Sequence, residues 1–323
     1  MAKARRWLGP LIASAFLLAA PLVVPNWAVF VLTLALAKFM AVLAVALFLR
    51  SGLISFGHAL FYAVGAYAAG FSIKWFGLAD AVLLAPVGAL LGAGVAAVVG
   101  LFMARYRGVF FAMLNLGVSM VLYAALLKFY WVTGGTDGIG VRSATFLGAA
   151  PPRELYRLTY YYFALLLTGV VVSAVYRFLV SPVGYFMKAM GDNEIRIEYQ
   201  GESVRRVVYL TYILSGALAG LGGVLTAFTV GHIVPEYAYW AQSGEFVFVA
   251  VLGGYGSVPG SLVGSIAFEF LRTYASKYMP EAWQMTLGLI MLLIILFLPG
   301  GLWTIYEAVV GRGRTRTEDL SGG

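Results

Sequence analysis

The sequence predicts an all-α polytopic membrane protein, a helix bundle of about eight full spans plus a glycine-rich re-entrant or short-helix hairpin. Three observations predict it. Hydrophobic residues make up 62% of the chain and charged residues only 11%, where an average soluble domain carries about 25% charged residues. The apolar residues fall in runs of about 20, the length that crosses a bilayer. Thirty-nine glycines suit helices whose backbones approach closely in lipid. A single core of 323 residues could not hide this much apolar surface from water, which excludes a soluble globular class. No Pro-, Ser- or charge-rich linker divides the chain, so residues 1–311 read as one domain, followed by a short basic and acidic tail at 312–323.

Taken in order, the first span is expected at 10–25, an apolar run behind Arg5 and Arg6. A cleaved leader is the other reading of that pattern, but no convincing small-x-small cleavage site precedes Asn26, which favours a retained helix. Spans follow at 28–49, closed by Arg50, at 55–75, at 80–104, closed by Arg105 and Arg107, and at 108–131. The remaining runs are 158–179, 206–231 and 282–303, and between the last two lies 244–275. The segment Gly253–Gly260 splits that stretch into halves, the first too short for a comfortable crossing, so the pair should return the chain to the side it came from. With the N-terminus in the cytoplasm, basic residues favour the cytoplasmic side by about two to one, which places both termini and residues 181–206 there.

The net charge of +8 is spread over the ends of apolar runs and so reports topology, with no nucleic-acid partner implied. The absence of cysteine removes disulfides, thiolate nucleophiles and cysteine metal sites. There is no phosphate loop, no His-Glu-x-x-His and no Gly-x-Ser-x-Gly elbow. His58 and His232 are the only histidines, too few for a histidine-rich metal centre. No catalytic or metal residue is therefore expected, and if ATP drives the protein another chain hydrolyses it.

The segment Ser181–Arg206 is the longest hydrophilic interruption and carries Lys188, Asp192, Glu194, Arg196, Glu198, Glu202, Arg205 and Arg206. It reads as a short amphipathic helix or helix pair, with Tyr185, Phe186, Ala189 and Met190 as the apolar set, a compact element suited to docking on a soluble partner. Residues 51–70 mix Ser51, Ser55 and His58 with several glycines, which suggests a broken helix or tight packing. Gly253 to Gly260 offers a counterpart later in the chain, and paired Gly/Pro-interrupted segments point to a transport pathway. Glycine-mediated packing is the plainer reading of both. Lys38, His58, Glu245 and Glu269 are charged or polar groups inside apolar runs. They should face a cavity or a partner, with Lys38 paired to Glu269 or Glu245. Thr133-Gly134-Gly135-Thr136-Asp137-Gly138 should form a tight turn at the outer end of a span.

Taken together, Ile54-Ser55-Phe56-Gly57-His58, Gly65-Ala66-Tyr67, Thr133 to Gly138, Ser181-Pro182-Val183-Gly184 and Asp192-Asn193-Glu194 resemble the signatures of LivM-type permeases of branched-chain amino acid ABC importers. Ala217 to Gly223, Leu252 to Ser257 and Leu298-Pro299-Gly300-Gly301-Leu302 continue the match in order. The resemblance implies an inner-membrane subunit that works with a LivH-like second permease, two cytoplasmic ATPase subunits and an extracytoplasmic solute-binding protein. It binds no cofactor itself, and ATP and Mg sit on the partner ATPases. The resemblance also implies that residues 184–201 receive the ATPase stroke, with Gly184 and Gly201 bounding the element, Asp192, Asn193 and Glu194 at its contact face, and Lys188 and Ala189 also taking part in the coupling. Ser55, Gly57, His58, Thr133, Gly134, Gly135, Asp137, Glu245, Gly253 and Gly254 are the pathway candidates. Branched-chain amino acids are the implied cargo, with urea, short amides or another small polar solute as the alternative. A stand-alone secondary transporter is the remaining reading.

Overall fold

A computed structural model describes residues 17–298, 300–306 and 308. Residues 10–16 of the expected first span and the whole 312–323 tail lie outside the described residues; residues 17–23 are helical. The long helices are α1 (Asn26–Arg50), α2 (His58–Phe76), α3 (Ala81–Met103), α4 (Gly108–Lys128) and α5 (Arg153–Leu179). Two short helices, α6 (Pro182–Asp192) and α7 (Glu194–Tyr199), lead to α8 (Val204–Val230). The chain then continues through α9 (Trp240–Gly253), α10 (Val258–Tyr278) and α11 (Trp283–Phe297).

Five of these, α1, α3, α4, α5 and α8, are long and apolar enough to cross a membrane. The expected spans at 55–75 and 282–303 are helices that fall short of that measure. Helix α2 has 19 residues but carries His58, Ser72, Lys74, glycines and tyrosines, and most of it is buried by protein, where a lipid-like surface is not required. Helix α11 is strongly apolar but only 15 residues long. The hairpin expected at 244–275 is present as α9 and α10, bent by 116° to one another at a break over 254–257. It starts earlier than its hydropathy suggested, at Trp240.

The centre of the bundle is α8, which packs against α3, α2 and α1. Its small-residue run makes this possible. A Cβ on Gly220 would overlap the Gly88 carbonyl, one on Gly216 would overlap Ala96, and one on Gly223 would overlap the Tyr62 carbonyl. The partner helices return the requirement, since a Cβ on Gly65 or Gly92 would strike the backbone of Gly220 or Gly216. Close backbone approach replaces the hydrophobic driving force that lipid does not supply. This is the packing reading of the glycines, and it holds at Gly57 too, whose Cβ would come within 2.7 Å of the Asn115 carbonyl.

The two ends of the bundle differ. At one, here the loop end, lie Arg50, the α3–α4 connection and α6–α7. At the other, the far end, Asp80 caps α3 by accepting from the Val82 and Leu83 amides at 2.9 and 3.2 Å and ties down the 144–149 loop through the Gly148 amide at 2.7 Å. A two-stranded antiparallel ladder pairs Ile139 with Ile233 and Gly140 with His232. It fastens the connection after α4 to the one after α8. From there the chain does not stay at the surface. Pro235–Ala238 forms a 3-10 turn beside the middle of α4, where the Ser119 hydroxyl donates to the Ala238 carbonyl at 2.7 Å. Helix α9 therefore begins at mid-depth and runs to the loop end, where Arg50 Nε donates to the Tyr255 carbonyl at 2.7 Å.

Candidate functional site

The loop-end helices are built by local capping. Ser181 is the N-cap of α6, accepting from the Gly184 amide, with Pro182 in the first turn where its missing N–H is no loss. Asn193 caps α7 by accepting from the Arg196 amide at 3.3 Å. Gly184 is packed so closely on Phe178 and Leu179 that a Cβ would overlap their backbone, and Gly201 has φ +85°, a left-handed conformation suited to glycine. Gly184 thus sits in the first turn of α6 and Gly201 just beyond α7, each a glycine for a separate steric reason.

The amphipathic face differs from the one read in the sequence. Gly184, Met187 and Met190 are buried against the bundle, with Ile197 from α7. Tyr185 and Ala189, expected among the apolar set, are exposed, whereas Met190 is buried and Phe186 is partly buried against the core. A helix offers two plausible apolar stripes when methionines and aromatics alternate, and the bundle selected the methionines. Tyr185, Lys188, Ala189 and Asp192 consequently line the outward face at spacings of three and four, joined by exposed Asn193, Ile195 and Tyr199. Glu194 is not free on that face, because its carboxylate pairs with Arg107 Nε at 2.9 Å. The pair staples α7 to the α3–α4 connection, while Gly191 lies against Gly52 and joins α6 to the end of α1.

Within the bundle the pathway candidates form two groups. Ser55, Gly57 and His58 lie at the start of α2, all buried, with the His58 ring against Phe48 and Phe61. The Ala59 amide donates to Ser243 Oγ at 2.8 Å, which joins this segment to α9 and so to Glu245. Gly253 and Gly254 are at the other end of α9. They are packed on Gly260, Gly264, Gly300 and Gly301, and the Leu302 amide donates to the Leu252 carbonyl at 2.8 Å. Thr133, Gly134, Gly135 and Asp137 stand apart at the far end. There the Thr133 hydroxyl donates to the Leu126 carbonyl at 2.6 Å and accepts from the Gly135 amide at 3.1 Å, closing the expected turn. The Tyr130 hydroxyl donates to Asp137 at 2.5 Å, and that carboxylate holds the phenol above its ordinary pKa.

Lys38 is paired with both glutamates. Its Nζ donates to Glu245 Oε1 at 2.7 Å and lies 2.8 Å from Glu269 Oε1, off the line of a hydrogen bond. Arg272 approaches Glu245 Oε2 at 3.3 Å. Two cations thus balance two carboxylates across α1, α9 and α10, and the space between Lys38, Glu245 and Glu269 holds no water-sized void. Pairing is how such groups are tolerated at membrane depth. Tyr62, Tyr67 and Thr226 add buried hydroxyls without hydrogen-bond partners among the described residues. The same residues contain no cluster of three His, Asp or Glu side chains that could hold a metal.

A family profile described as "Branched-chain amino acid transport system / permease component" matches residues 27–296. The chain belongs to that family. Among curated members of this permease family, the high-affinity branched-chain amino acid transport system permease protein LivM of Escherichia coli (strain K12) is 29% identical over 273 residues, 78% of this chain and 64% of that protein. The corresponding LivH of the same strain is 28% identical over 123 residues, 38% of this chain and 40% of that protein. The nucleoside ABC transporter permease protein NupB of Lactococcus lactis subsp. cremoris (strain MG1363) is 35% identical over 99 residues, 30% of this chain and 27% of that protein. The chain spans 64% of the length of the LivM protein it matches. No solved structure matches it. Membership of this permease family agrees with a multi-pass helical membrane protein whose longest polar interruption among the described residues holds α6 and α7.

Proposed function

We propose that this chain is a permease subunit of an ATP-driven importer of the inner membrane, moving branched-chain amino acids. It would work beside a LivH-like permease, with two ATPases on the cytoplasmic side and an extracytoplasmic solute-binding protein. The observation that carries the reading is the two-helix element at the loop end. It is seated on the bundle by Met187, Met190 and the Arg107–Glu194 pair, yet presents Tyr185, Lys188, Ala189 and Asp192 outward. A rigid element with a mixed aromatic and charged outer face is what a soluble motor needs in order to push on a bundle. Nucleotide-driven closure of the ATPases would move α6–α7, and Gly52–Gly191 and Arg107–Glu194 would carry that motion to α1 and α3. Both termini then face the cytoplasm. The similarity of a nucleoside permease over 99 residues supports a second cargo reading, another small polar solute carried by the same machinery.

Purifying the tagged chain from its native membrane in mild detergent tests the assembly. Stoichiometric recovery of a second hydrophobic permease and of subunits bearing phosphate loops is expected; recovery of the chain alone would refute it. Two variants separate seat from docking face. Tyr185→Asp is expected to leave the chain folded and cut ATP-driven leucine uptake by a factor of about 30, the loss of one interface hot spot. Glu194→Lys sets two cations together at a partly exposed pair worth at most about 1 kcal/mol, so it should loosen the loop and uncouple hydrolysis from uptake with little loss of stability.

A further inference from the structure

Helix α9 starts where a membrane helix ordinarily does not, level with Lys38, the thirteenth of the 25 residues of α1, and with Ser119 in the middle of α4. Its first turn has no side-chain cap, and Trp240 and Ala241 are exposed. Beside it, the side chains of Glu245 and Arg272 are 19% and 35% exposed. Lipid cannot satisfy open backbone N–H groups, a carboxylate or a guanidinium at this depth. The Tyr62 hydroxyl, in a residue only 1% exposed, has no hydrogen-bond partner and lies within electrostatic reach of Glu245 and Glu269.

From this we infer that the face formed by the start of α9, Glu245 and Arg272 lines the solute passage and is a binding station for a zwitterionic amino acid. The inference rests on the importer reading and names the cargo chemistry of that passage. Glu245 is held tightly by Lys38 at 2.7 Å but only loosely by Arg272, at 3.3 and 3.4 Å. Arg272 is braced instead by the Trp283 ring, 5.3 Å from its guanidinium carbon, and retains donors for a ligand. A carboxylate would take the Arg272 fork together with the uncapped N–H groups of α9, and an ammonium would take the second oxygen of Glu245. Because Lys38, Arg272, Glu245 and Glu269 already sum to zero charge, a solute of zero net charge enters without leaving an uncompensated charge at mid-depth. That feature selects a zwitterion over a simple anion or cation.

The chain's lack of cysteine makes the test direct. In native membranes holding the whole assembly, Ala241→Cys should react with a charged, membrane-impermeant thiol reagent at least about tenfold faster than Leu90→Cys, whose position on α3 is 71% exposed but apolar, because thiolates form only where water reaches. Leucine presented with its binding protein and ATP should slow the reaction at 241. Arg272→Gln, recovered in normal yield in the complex, should lower leucine uptake by about tenfold or more. If that variant does not assemble, Arg272→Lys, which keeps the charge and loses the fork, is read in the same way. Equal reactivity of the two cysteines, or leucine uptake at the wild-type rate by the assembled Arg272 variant, overturns the proposal. A wild-type complex that takes up no leucine refutes the importer reading instead, and the comparison of cysteines 241 and 90 still decides whether the face is wet.

Discussion

Leucine in place of Gly65 or Gly223 is expected to prevent the bundle from forming, so that the chain is recovered only as aggregate or is degraded. Both positions sit where a Cβ alone would overlap a carbonyl oxygen, that of Gly220 for Gly65 and that of Tyr62 for Gly223. The obstacle is main chain and cannot rotate away. Even alanine forces the helices apart, and overpacking of this kind costs about 1–3 kcal/mol or more per site. Matched controls are available in Gly94 and Gly117, which have open space where a Cβ would stand. Alanine there should be neutral or stabilising by up to about 1 kcal/mol through helix propensity. The check is thermal aggregation of the detergent-purified protein, and equal melting of Gly65→Ala and Gly94→Ala would refute the packing account.

Lys38→Met is expected to be the second most damaging change. It removes the cation between Glu245 and Glu269 and leaves Glu269, 2% exposed, with its charge uncompensated. Breaking one side of a buried ion pair typically costs about 3–5 kcal/mol. Arg272 can keep Glu245 company at 3.3 Å, so the damage should be concentrated at Glu269. The double variant Lys38→Met with Glu269→Gln restores neutrality and should recover most of the lost stability. A double variant no more stable than Lys38→Met alone would show that the lysine acts through something other than charge pairing. Exchange of Lys38 and Glu269 is a stricter version of the same test.

The class of fold and its main junctions were legible because hydropathy, glycine spacing and caps are local signals. The five long apolar helices, the Gly253–Gly260 break and the Thr133–Gly138 turn are each written in a short window, and a lone lysine inside an apolar run called for a partner, although the glutamates that supply it lie more than 200 residues away. What was not legible depended on neighbours. Helix α2 looks like a span, but it is buried by α8 and need not be lipid-like over its whole length. Residues 235–243 look like an ordinary outer connection, and only the Ser119–Ala238 and Ala59–Ser243 hydrogen bonds show that they descend to mid-depth. Arg272 stands near the end of an apolar run, and nothing in that position registers the bend of α9 on α10 that accompanies its approach to Glu245. The outward face of α6 was misread for a similar reason. Tyr185 and Met187 are both apolar enough to be buried, and the choice is made by the seat that Gly184 and Ile197 provide. The charge of Glu194 was visible but its partner, 87 residues earlier, was not.

The central position of α8 also bears on how the chain is made. Gly65, Gly88 and Gly92 reach the membrane early, but the helix that fits them emerges more than a hundred residues later. At ordinary rates of translation the wait is on the order of ten seconds. During that interval the notched faces of α2 and α3 have no native partner and are open to other small-residue helices nearby. Assembly of this bundle is thus exposed to mispairing at one defined stage of its synthesis, and the arrival of residues 204–230 from the ribosome ends it.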